Sequence, residues 1–154
     1  MAKLPYKEGT WFAIPLRQGG YAVGLVARHV PRVGRIILAY LFGPKRETIP
    51  SIEELENLTS DMAIKKAHVG DLHLIEGRWP IIGDSPNWRR ERWPSPFFLR
   101  KEDLGKVAWR VEYDDDNPNR VISERRVPYD STEYEGDGLY GAGAAEIVVS
   151  RMLA

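Results

Sequence analysis

Three apolar runs between residues 11 and 42 constrain the fold of this chain more than any other feature. The runs cover residues 11–16, 21–27 and 36–42, and turns that contain Gly or Pro separate them. Each run has the length of a strand and carries apolar residues at both odd and even positions. Because neighbouring residues of a strand point to opposite faces, a sheet built from these runs is buried on both faces. The pattern predicts an antiparallel meander that is covered on both sides or curled tightly on itself.

Glycines within this stretch have specific predicted roles. Gly19 and Gly20 lie between the first two runs, where a tight hairpin needs positive backbone φ angles. Gly24 lies inside the second run, which indicates a bulge or the close approach of another backbone segment.

The remainder of the chain predicts short strands, a long loop and two helices. Ser51 and Glu54 match a capping box, so we predict a helix over residues 52–58. Residues 62–82 have a partly alternating pattern and are predicted to be extended. Residues 84–96 contain three prolines and are predicted to form a loop.

The last third of the chain has two further strand patterns and a helical tail. Residues 107–113 and 120–127 are predicted strands joined by an acidic turn, and residues 130–138 read as a loop. Residues 139–153 predict a helix with a buried face, although a β-branched run within them is also compatible with a strand. That predicted face consists of Ala144, Ile147, Val148 and Met152.

The predicted fold is therefore α+β and mostly β. We expect an antiparallel curled sheet or partial barrel of about six to eight strands, with a short helix near 52–58 and a C-terminal helix. A length of 154 residues is most simply one domain, spanning residues 1–154.

Composition excludes several classes of protein. The chain has no cysteine, so disulfides and cysteine-based zinc sites are excluded. No run approaches the ~20 apolar residues that a membrane span needs, and the N-terminus lacks the apolar core of a signal peptide. These features predict a cytoplasmic protein that does not enter the membrane.

Charge is balanced overall but unevenly distributed. Residues 1–48 carry eight Lys or Arg against two Asp or Glu, whereas residues 112–138 carry three against nine. The two regions either neutralise each other in the fold or form one basic and one acidic patch that steer a partner.

Metal and cofactor motifs are absent or incomplete in the sequence. Residues 136–141 match the letters of a dinucleotide fingerprint, but no apolar strand precedes them and too few residues follow for a βαβ unit. Asp114 and Asp116 have the spacing of the first ligands of a calcium loop. The residues at the later loop positions do not fit an EF-hand, so only an irregular calcium site remains possible here. Three histidines without cysteine do not predict a zinc site. We expect no cofactor and no resident metal.

Catalytic patterns are also missing, so we do not expect an enzyme. No Gly-x-Ser-x-Gly elbow occurs, and thiol chemistry is impossible without cysteine. Glu133 and Glu135 lie in a segment predicted to be exposed, where nothing raises a carboxyl pKa for acid catalysis. A hydrolase with an unrecognised carboxylate site is the remaining catalytic alternative.

The segment from Trp88 to Trp93 is the most suggestive stretch for binding. It reads Trp-Arg-Arg-Glu-Arg-Trp, and Trp and Arg are enriched at binding hot spots. Arg beside an aromatic ring also suits nucleic-acid bases, but zero net charge and an acidic last third make nucleic acid an unfavoured partner. A purely structural reading, in which both indoles anchor a long loop, is equally compatible.

Three short motifs in the first part of the chain resemble one known family. Residues 8–16 read Glu-Gly-Thr-Trp-Phe-Ala-Ile-Pro-Leu, residues 20–27 form a Gly-containing second strand, and residues 37–43 end in Phe-Gly. Together with Trp-Pro motifs at Trp79 and Trp93, this pattern resembles the immunity-protein-26 family over about residues 6–110. These are proteins encoded beside toxins in bacterial polymorphic-toxin systems.

The resemblance implies a non-enzymatic protein that binds a cognate protein toxin, a nuclease being one candidate, in the cytoplasm of the producing cell. It supplies no catalytic residues, so two surfaces become candidate binding sites. One is the tryptophan loop, and the other is acidic, since carboxylates suit a phosphate-binding cleft and complementary charge speeds encounter. The candidate residues are Trp88, Arg89, Arg90 and Trp93 in the loop, and Asp114, Asp115, Asp116, Asp130, Glu133, Glu135 and Asp137 in the acidic region. A small-ligand or nucleic-acid binding module that uses the 88–93 segment is the alternative function.

Overall fold

The structure is a computed structural model that describes residues 3–154. Within these residues the strands are β1 Thr10–Pro15, β2 Tyr21–His29, β3 Ile36–Arg46, β4 Lys65–Gly70, β5 Ile81–Asp84, β6 Phe98–Glu102, β7 Val107–Asp114, β8 Asn117–Val127, β9 Glu135–Gly136 and β10 Leu139–Tyr140. The α-helices are α1 Ile52–Leu55, α2 Leu72–Ile75 and α3 Ala142–Met152. An α+β, mostly β fold with a C-terminal helix is therefore confirmed.

The strands form two sheets, neither of which closes into a barrel. The central sheet has the order β10-β4-β3-β2-β1-β5, and the outer sheet has the order β8-β7-β6-β9. Neighbouring strands are antiparallel except for two short parallel pairs, β10 with β4 and β9 with β6. The curled sheet or partial barrel of about six to eight strands expected from the sequence is thus replaced by two stacked sheets. Residues 3–154 form ten strands, of which β9 and β10 have only two residues each and leave no alternating signal.

Both faces of the central sheet are buried, as the continuous apolar runs predict. In β3, Ile37, Ala39 and Leu41 lie in a core on the side of α2 and α3. The alternating residues of β3, among them Leu38 and Tyr40, lie in a second core with outer-sheet residues of β6 and β7. A sheet between two layers explains why no polar face is present in these runs.

The geometry confirms the prediction for Gly19 and Gly20 but corrects that for Gly24, where a side chain and not another backbone segment comes close. Gly19 and Gly20 have φ angles of 95° and 77° in the β1–β2 turn. A Cβ at Gly24 would lie 2.3 Å from Phe12 Cζ, so the glycine permits the Phe12 ring to cross the neighbouring strand.

Three element predictions are corrected by the structure. Helix α1 ends at Leu55 instead of residue 58, and Ser51 makes no side-chain cap bond. Residues 62–82 are not extended throughout, because α2 forms within them and leads to Gly77 at φ +77°. The extended prediction relied here on the alternation of Leu72, His73 and Leu74, which is too short to distinguish a strand from one helical turn.

The C-terminal helix is confirmed, but its buried face differs from the prediction. Residues 139–140 pair with β4, and the helix follows. Its buried residues are Ala142, Ala145, Val149 and Ser150, whereas Ile147 and Met152 are exposed. The small side chains of this face allow the helix to pack closely on the sheet. Close packing therefore favours this face over the predicted one, although the predicted face has larger apolar residues.

Candidate functional site

The tryptophan loop, residues 85–93, runs from the end of β5 across the edge of the central sheet. Its start is attached to the residue just before β1, because Ser85 N donates to Gly9 O at 2.9 Å. Trp11 Nε1 also donates to Ser85 Oγ at 2.8 Å. A short 3-10 turn at Arg90–Arg92 then brings Trp93 back to the core. The loop predicted from its prolines is thus tied down at both ends.

Trp93 is an internal anchor and not an exposed contact. Its side chain is buried, and its ring packs edge-on against Trp11 and Tyr40 at centroid distances of 5.8 and 5.2 Å. The Tyr40 hydroxyl donates to Pro94 O, which holds the chain directly after Trp93. The structural role that the sequence left open therefore applies to this residue.

Trp88 is half-buried and lies on top of this aromatic cluster. Its ring is nearly parallel to that of Trp93, at 11° and a centroid distance of 6.4 Å. A Cβ at Gly9 would lie 3.0 Å from Trp88 Cδ2, so the indole needs a glycine beneath it. The indole nitrogen donates to Glu8 Oε1 at 3.0 Å. Contacts with Trp93, Gly9 and Glu8 therefore hold the Trp88 ring in one position.

Arg90 connects the loop to two distant parts of the chain. Its Nε donates to Glu8 Oε1 at 2.8 Å. Its Nη1 lies 3.1 Å from Asp116 Oδ1, and its Nη2 donates to Asp115 O at 2.8 Å. Arg90 is thus a positioning residue for the loop.

A buried arginine extends this network beneath the loop. The side chain of Arg28 is only 3% exposed, and its Nε donates to Asp115 Oδ1 at 3.1 Å. Its remaining nitrogens reach Ala27 O at 2.6 Å and Arg90 O at 3.4 Å. The β7–β8 turn and the tryptophan loop are therefore held together by charge-assisted hydrogen bonds.

An open groove of about 580 Å³ lies between the tryptophan loop and the segment that starts with α1. Its lining includes Trp11, Trp88 and Trp93 on one side and Ile52, Leu55 and Leu58 on the other. We call it the indole groove. Its volume falls within the range of about 300–1,000 Å³ that is usual for ligand sites.

The charged residues of the indole groove come from two different segments of the chain. Arg89 and Arg92 come from the loop, and Glu56 follows α1. All three residues are exposed. Among the ion pairs of residues 3–154, none involves any of the three.

The acidic candidate residues do not form one cluster. Asp115 and Asp116 belong to the Arg28 and Arg90 network described above. Asp114 accepts a hydrogen bond from Arg120, which holds the pKa of Asp114 below its usual value. Most of the β7–β8 turn therefore has an internal electrostatic role.

The second acidic segment is also partly used inside the chain. Glu135 Oε1 accepts from Lys66 N at 3.0 Å, and Asp137 Oδ1 accepts from the Tyr113 hydroxyl at 2.6 Å. Asp130 and Glu133 are exposed. Glu133 and Glu135 line a shallower pocket of about 450 Å³. Asp130 and Glu133 are thus the most accessible acidic candidates of this segment.

The comparisons with known proteins give one match. The family model described as Immunity protein 26 matches residues 7–110, which include β1 to β6, the tryptophan loop and the indole groove. The chain belongs to the immunity protein 26 family. No curated protein and no solved structure matches the chain.

The family match ends inside β7, so later elements of this immunity protein 26 family member lie outside it. These elements are β8, β9, β10 and α3, together with the acidic candidates. They are nevertheless integral to the structure, because α3 covers one face of the central sheet. Asp115, outside the match, also pairs with Arg28 inside it.

The three histidines of this family member lie in different environments. His29 is buried near Tyr6, and His73 packs against Trp79. His68 is enclosed by the Phe98 and Tyr113 rings at 4.7 and 4.4 Å, and burial lowers its pKa to about 4. Within residues 3–154 no group of His, Asp and Glu side chains has the arrangement of a metal site. In the same part of the chain, no helix has the length and apolar character that would span a membrane.

Sequence reasoning missed several residues that position the loop. Glu8 and Ser85 accept hydrogen bonds from indole nitrogens, and Arg28 supports the loop from below. Arg28 carried a signal, since a charged residue at the end of an apolar strand needs a partner. Glu8 and Ser85 gave none, because their roles depend on contacts between distant segments.

Proposed function

We propose that this protein is an immunity protein that binds a cognate protein toxin of a bacterial polymorphic-toxin system and neutralises it without catalysis. The observation that carries the proposal is the match of residues 7–110 to the immunity protein 26 family. Its site of action is the cytoplasm of the producing cell, where the chain's own toxin would otherwise act.

The rigid tryptophan loop supports a binding role. Trp88 and Arg90 share Glu8 as an acceptor, so neither side chain has to be ordered when a partner arrives. Pre-ordered aromatic and arginine side chains reduce the entropy cost of association. We therefore propose the loop, with Trp88, Arg89, Arg90 and Trp93, as the main toxin-binding region, in which Trp93 and Arg90 act by positioning.

We propose that the acidic candidate residues make a smaller contribution to toxin binding than the tryptophan loop. A partner that bound Asp114, Asp115, Asp116, Glu135 or Asp137 would compete with the internal hydrogen bonds of those carboxylates. Asp130 and Glu133 are exposed, and the one hydrogen bond described for Glu133 is a local one that it accepts from Thr132 N at 3.0 Å. If the toxin is a nuclease, these two carboxylates are the proposed contacts with its phosphate-attracting surface.

Co-expression with the neighbouring toxin tests the proposed function. The toxin domain encoded beside this chain is expressed with and without it, and survival and complex formation are measured. We expect protection and a stable complex, with protection lost when toxin exceeds the immunity protein. Protection by a small substoichiometric amount would indicate catalysis instead, and absence of a complex would contradict the proposal.

The volume and indole lining of the groove also suit a small ligand or an unpaired nucleic-acid segment as a second candidate function. Titration of the intrinsic tryptophan fluorescence with oligouridine separates the two functions. Saturable quenching by RNA at physiological salt, without toxin binding, would favour this second function.

A further inference from the structure

Two indole rings of the groove already donate their N–H groups to acceptors within the chain. Trp11 Nε1 donates to Ser85 Oγ at 2.8 Å, and Trp88 Nε1 donates to Glu8 Oε1 at 3.0 Å. An indole nitrogen has a single hydrogen to donate. Trp88, which is half-buried, therefore offers apolar surface and no hydrogen bond to an occupant, which suits an aliphatic or aromatic side chain, whereas Trp11 is only 3% exposed.

The tryptophan loop, in contrast, contributes positively charged hydrogen-bond donors to the groove. Arg89 and Arg92 flank Arg90, whose guanidinium is occupied by Glu8 and Asp116. Arg89 and Arg92 themselves are exposed and take part in none of the ion pairs within residues 3–154. Guanidinium groups have donors and no acceptors, so their natural partner is an anionic group, which on a protein toxin is a carboxylate.

An acidic residue of the groove orients the occupant. Glu56 lines the same groove from the segment that follows α1 and repels a carboxylate placed next to it. With two arginines against one glutamate, the groove has a net positive lining. An occupant whose carboxylate faces the loop and whose apolar side chain enters between the walls satisfies each of these constraints.

We propose that the indole groove binds an acidic segment of the toxin, in which a carboxylate side chain lies next to an aromatic or aliphatic anchor. This inference rests on the proposed function and specifies the chemistry of the partner. It has a direct consequence for the toxin: the segment that docks here has the opposite charge to a phosphate-binding cleft. A nuclease toxin would therefore be held in this groove by a surface other than its cleft.

Short peptides added to the full-length chain test the chemistry of the groove. The probes are Asp-Asp-Phe-Asp-Asp, the same peptide with Ala in place of Phe, the peptide Lys-Lys-Phe-Lys-Lys, and oligouridine. Binding is followed by NMR through the indole N–H signals, which are assigned with Trp11→Phe and Trp88→Phe. We expect the acidic Phe peptide to shift both signals, the Ala peptide to bind roughly tenfold more weakly, and the lysine peptide to leave them unchanged.

Charge-reversal variants localise the effect. The double variant R89E/R92E should lose binding of the acidic Phe peptide, and E56K should strengthen it. Arg151 provides a matched control, because it is exposed, is in none of the described ion pairs and lies on α3, which covers the other face of the central sheet. R151E should bind like the wild type. Because E56K predicts a gain, the proposal stays testable even if the double variant folds poorly.

Three outcomes would overturn the inference: no indole shift with the acidic Phe peptide, equal binding of the lysine peptide, or binding of oligouridine in its place. Toxin co-expression separates this inference from the proposed function. If the wild type and R89E/R92E protect equally, the function stands and the groove inference fails. If the wild type gives no protection, the proposed function itself fails.

Discussion

Arg90 Nε and Glu8 Oε1 lie 2.8 Å apart and join the tryptophan loop to the residues just before β1. The same carboxylate oxygen accepts the indole N–H of Trp88 at 3.0 Å. One side chain therefore determines the positions of both an arginine and a tryptophan in the loop. Because neither donor is fully buried, the contact contributes more to loop order than to global stability.

The first prediction concerns this shared acceptor. Glu8→Ala removes the partner of both donors, so loop amides should exchange faster and toxin affinity should fall by roughly tenfold, since the loop must then be ordered on binding. The free energy of unfolding should fall by only about 1 kcal/mol. Hydrogen exchange by mass spectrometry measures the loop. Glu76→Ala, which removes the exposed pair with Arg78, is the control and should leave loop exchange unchanged; identical exchange in both variants would disprove the role of Glu8.

The second prediction concerns two glycines with opposite surroundings. Gly24→Ala would place a Cβ 2.3 Å from the ring of Phe12, which is fully buried and stacks on Trp79. We expect a loss of about 2–3 kcal/mol in the free energy of unfolding. Gly143→Ala in α3 meets no atom within 4 Å and should stabilise the chain by about 0.5 kcal/mol. Urea denaturation measures both, and equal midpoints would contradict the packing described for Gly24.

The third prediction separates structural from accessible acidic residues. Asp115→Ala removes the carboxylate that pairs with buried Arg28, so the free energy of unfolding should fall by about 1–3 kcal/mol. Asp130→Ala should change it by less than about 0.5 kcal/mol, because Asp130 is exposed. Both variants remove one negative charge, so a difference between their urea midpoints reports the Arg28 contact. Equal midpoints would show that this pair does not stabilise the fold.

The fourth prediction concerns pH. Burial lowers the pKa of His68 to about 4, while the nearby charge of Asp137 opposes this shift. The unfolded chain binds the proton at a pH near 6.5, so between about 6.5 and 4 it binds more protons than the folded chain. The free energy of unfolding is therefore unaffected by His68 above about pH 6.5. As the pH falls from there towards 4, protonation of His68 in the unfolded chain lowers the free energy of unfolding by roughly 3 kcal/mol in total.

Comparison with a variant isolates this contribution. His68→Gln keeps a neutral polar side chain but removes the titrating group, so its free energy of unfolding should depend less on pH in this window. Chemical denaturation at several pH values measures the difference between the two proteins. Burial also lowers the pKa of His29, so a smaller slope should remain in the variant. Identical slopes in both proteins would exclude His68 as the cause.

Much of the fold could be predicted because local patterns carry it. The apolar residues on both faces of residues 36–42 predicted a doubly covered sheet, and β3 has alternate residues in two cores. Gly24 predicted a bulge or a close backbone approach, but the group that lies against it is the Phe12 ring. The length of α1 and the helix at α2 were not predicted correctly, because four-residue helices leave almost no periodic signal.

The candidate site could be predicted only in part. The unusual Trp and Arg content of residues 88–93 identified the loop, but not which indole is exposed to a partner. Trp93 lies in the core, whereas Trp88 is half-buried above it. The acidic residues illustrate the same limit, since Asp115 and Asp130 look alike in sequence yet only Asp115 has a buried arginine beside it.

Patterns along the chain are enough to predict a mostly β protein with a sheet buried on both faces, a proline-rich loop with two tryptophans, and membership of an immunity protein family. They do not predict that Glu8, Arg28 and Asp115 meet around that loop, or that Arg89 and Arg92 line an open groove. The two kinds of information differ in their separation along the chain. Hydrophobic periodicity is encoded between neighbours a few residues apart, whereas these ion pairs join segments that only folding brings within hydrogen-bond distance.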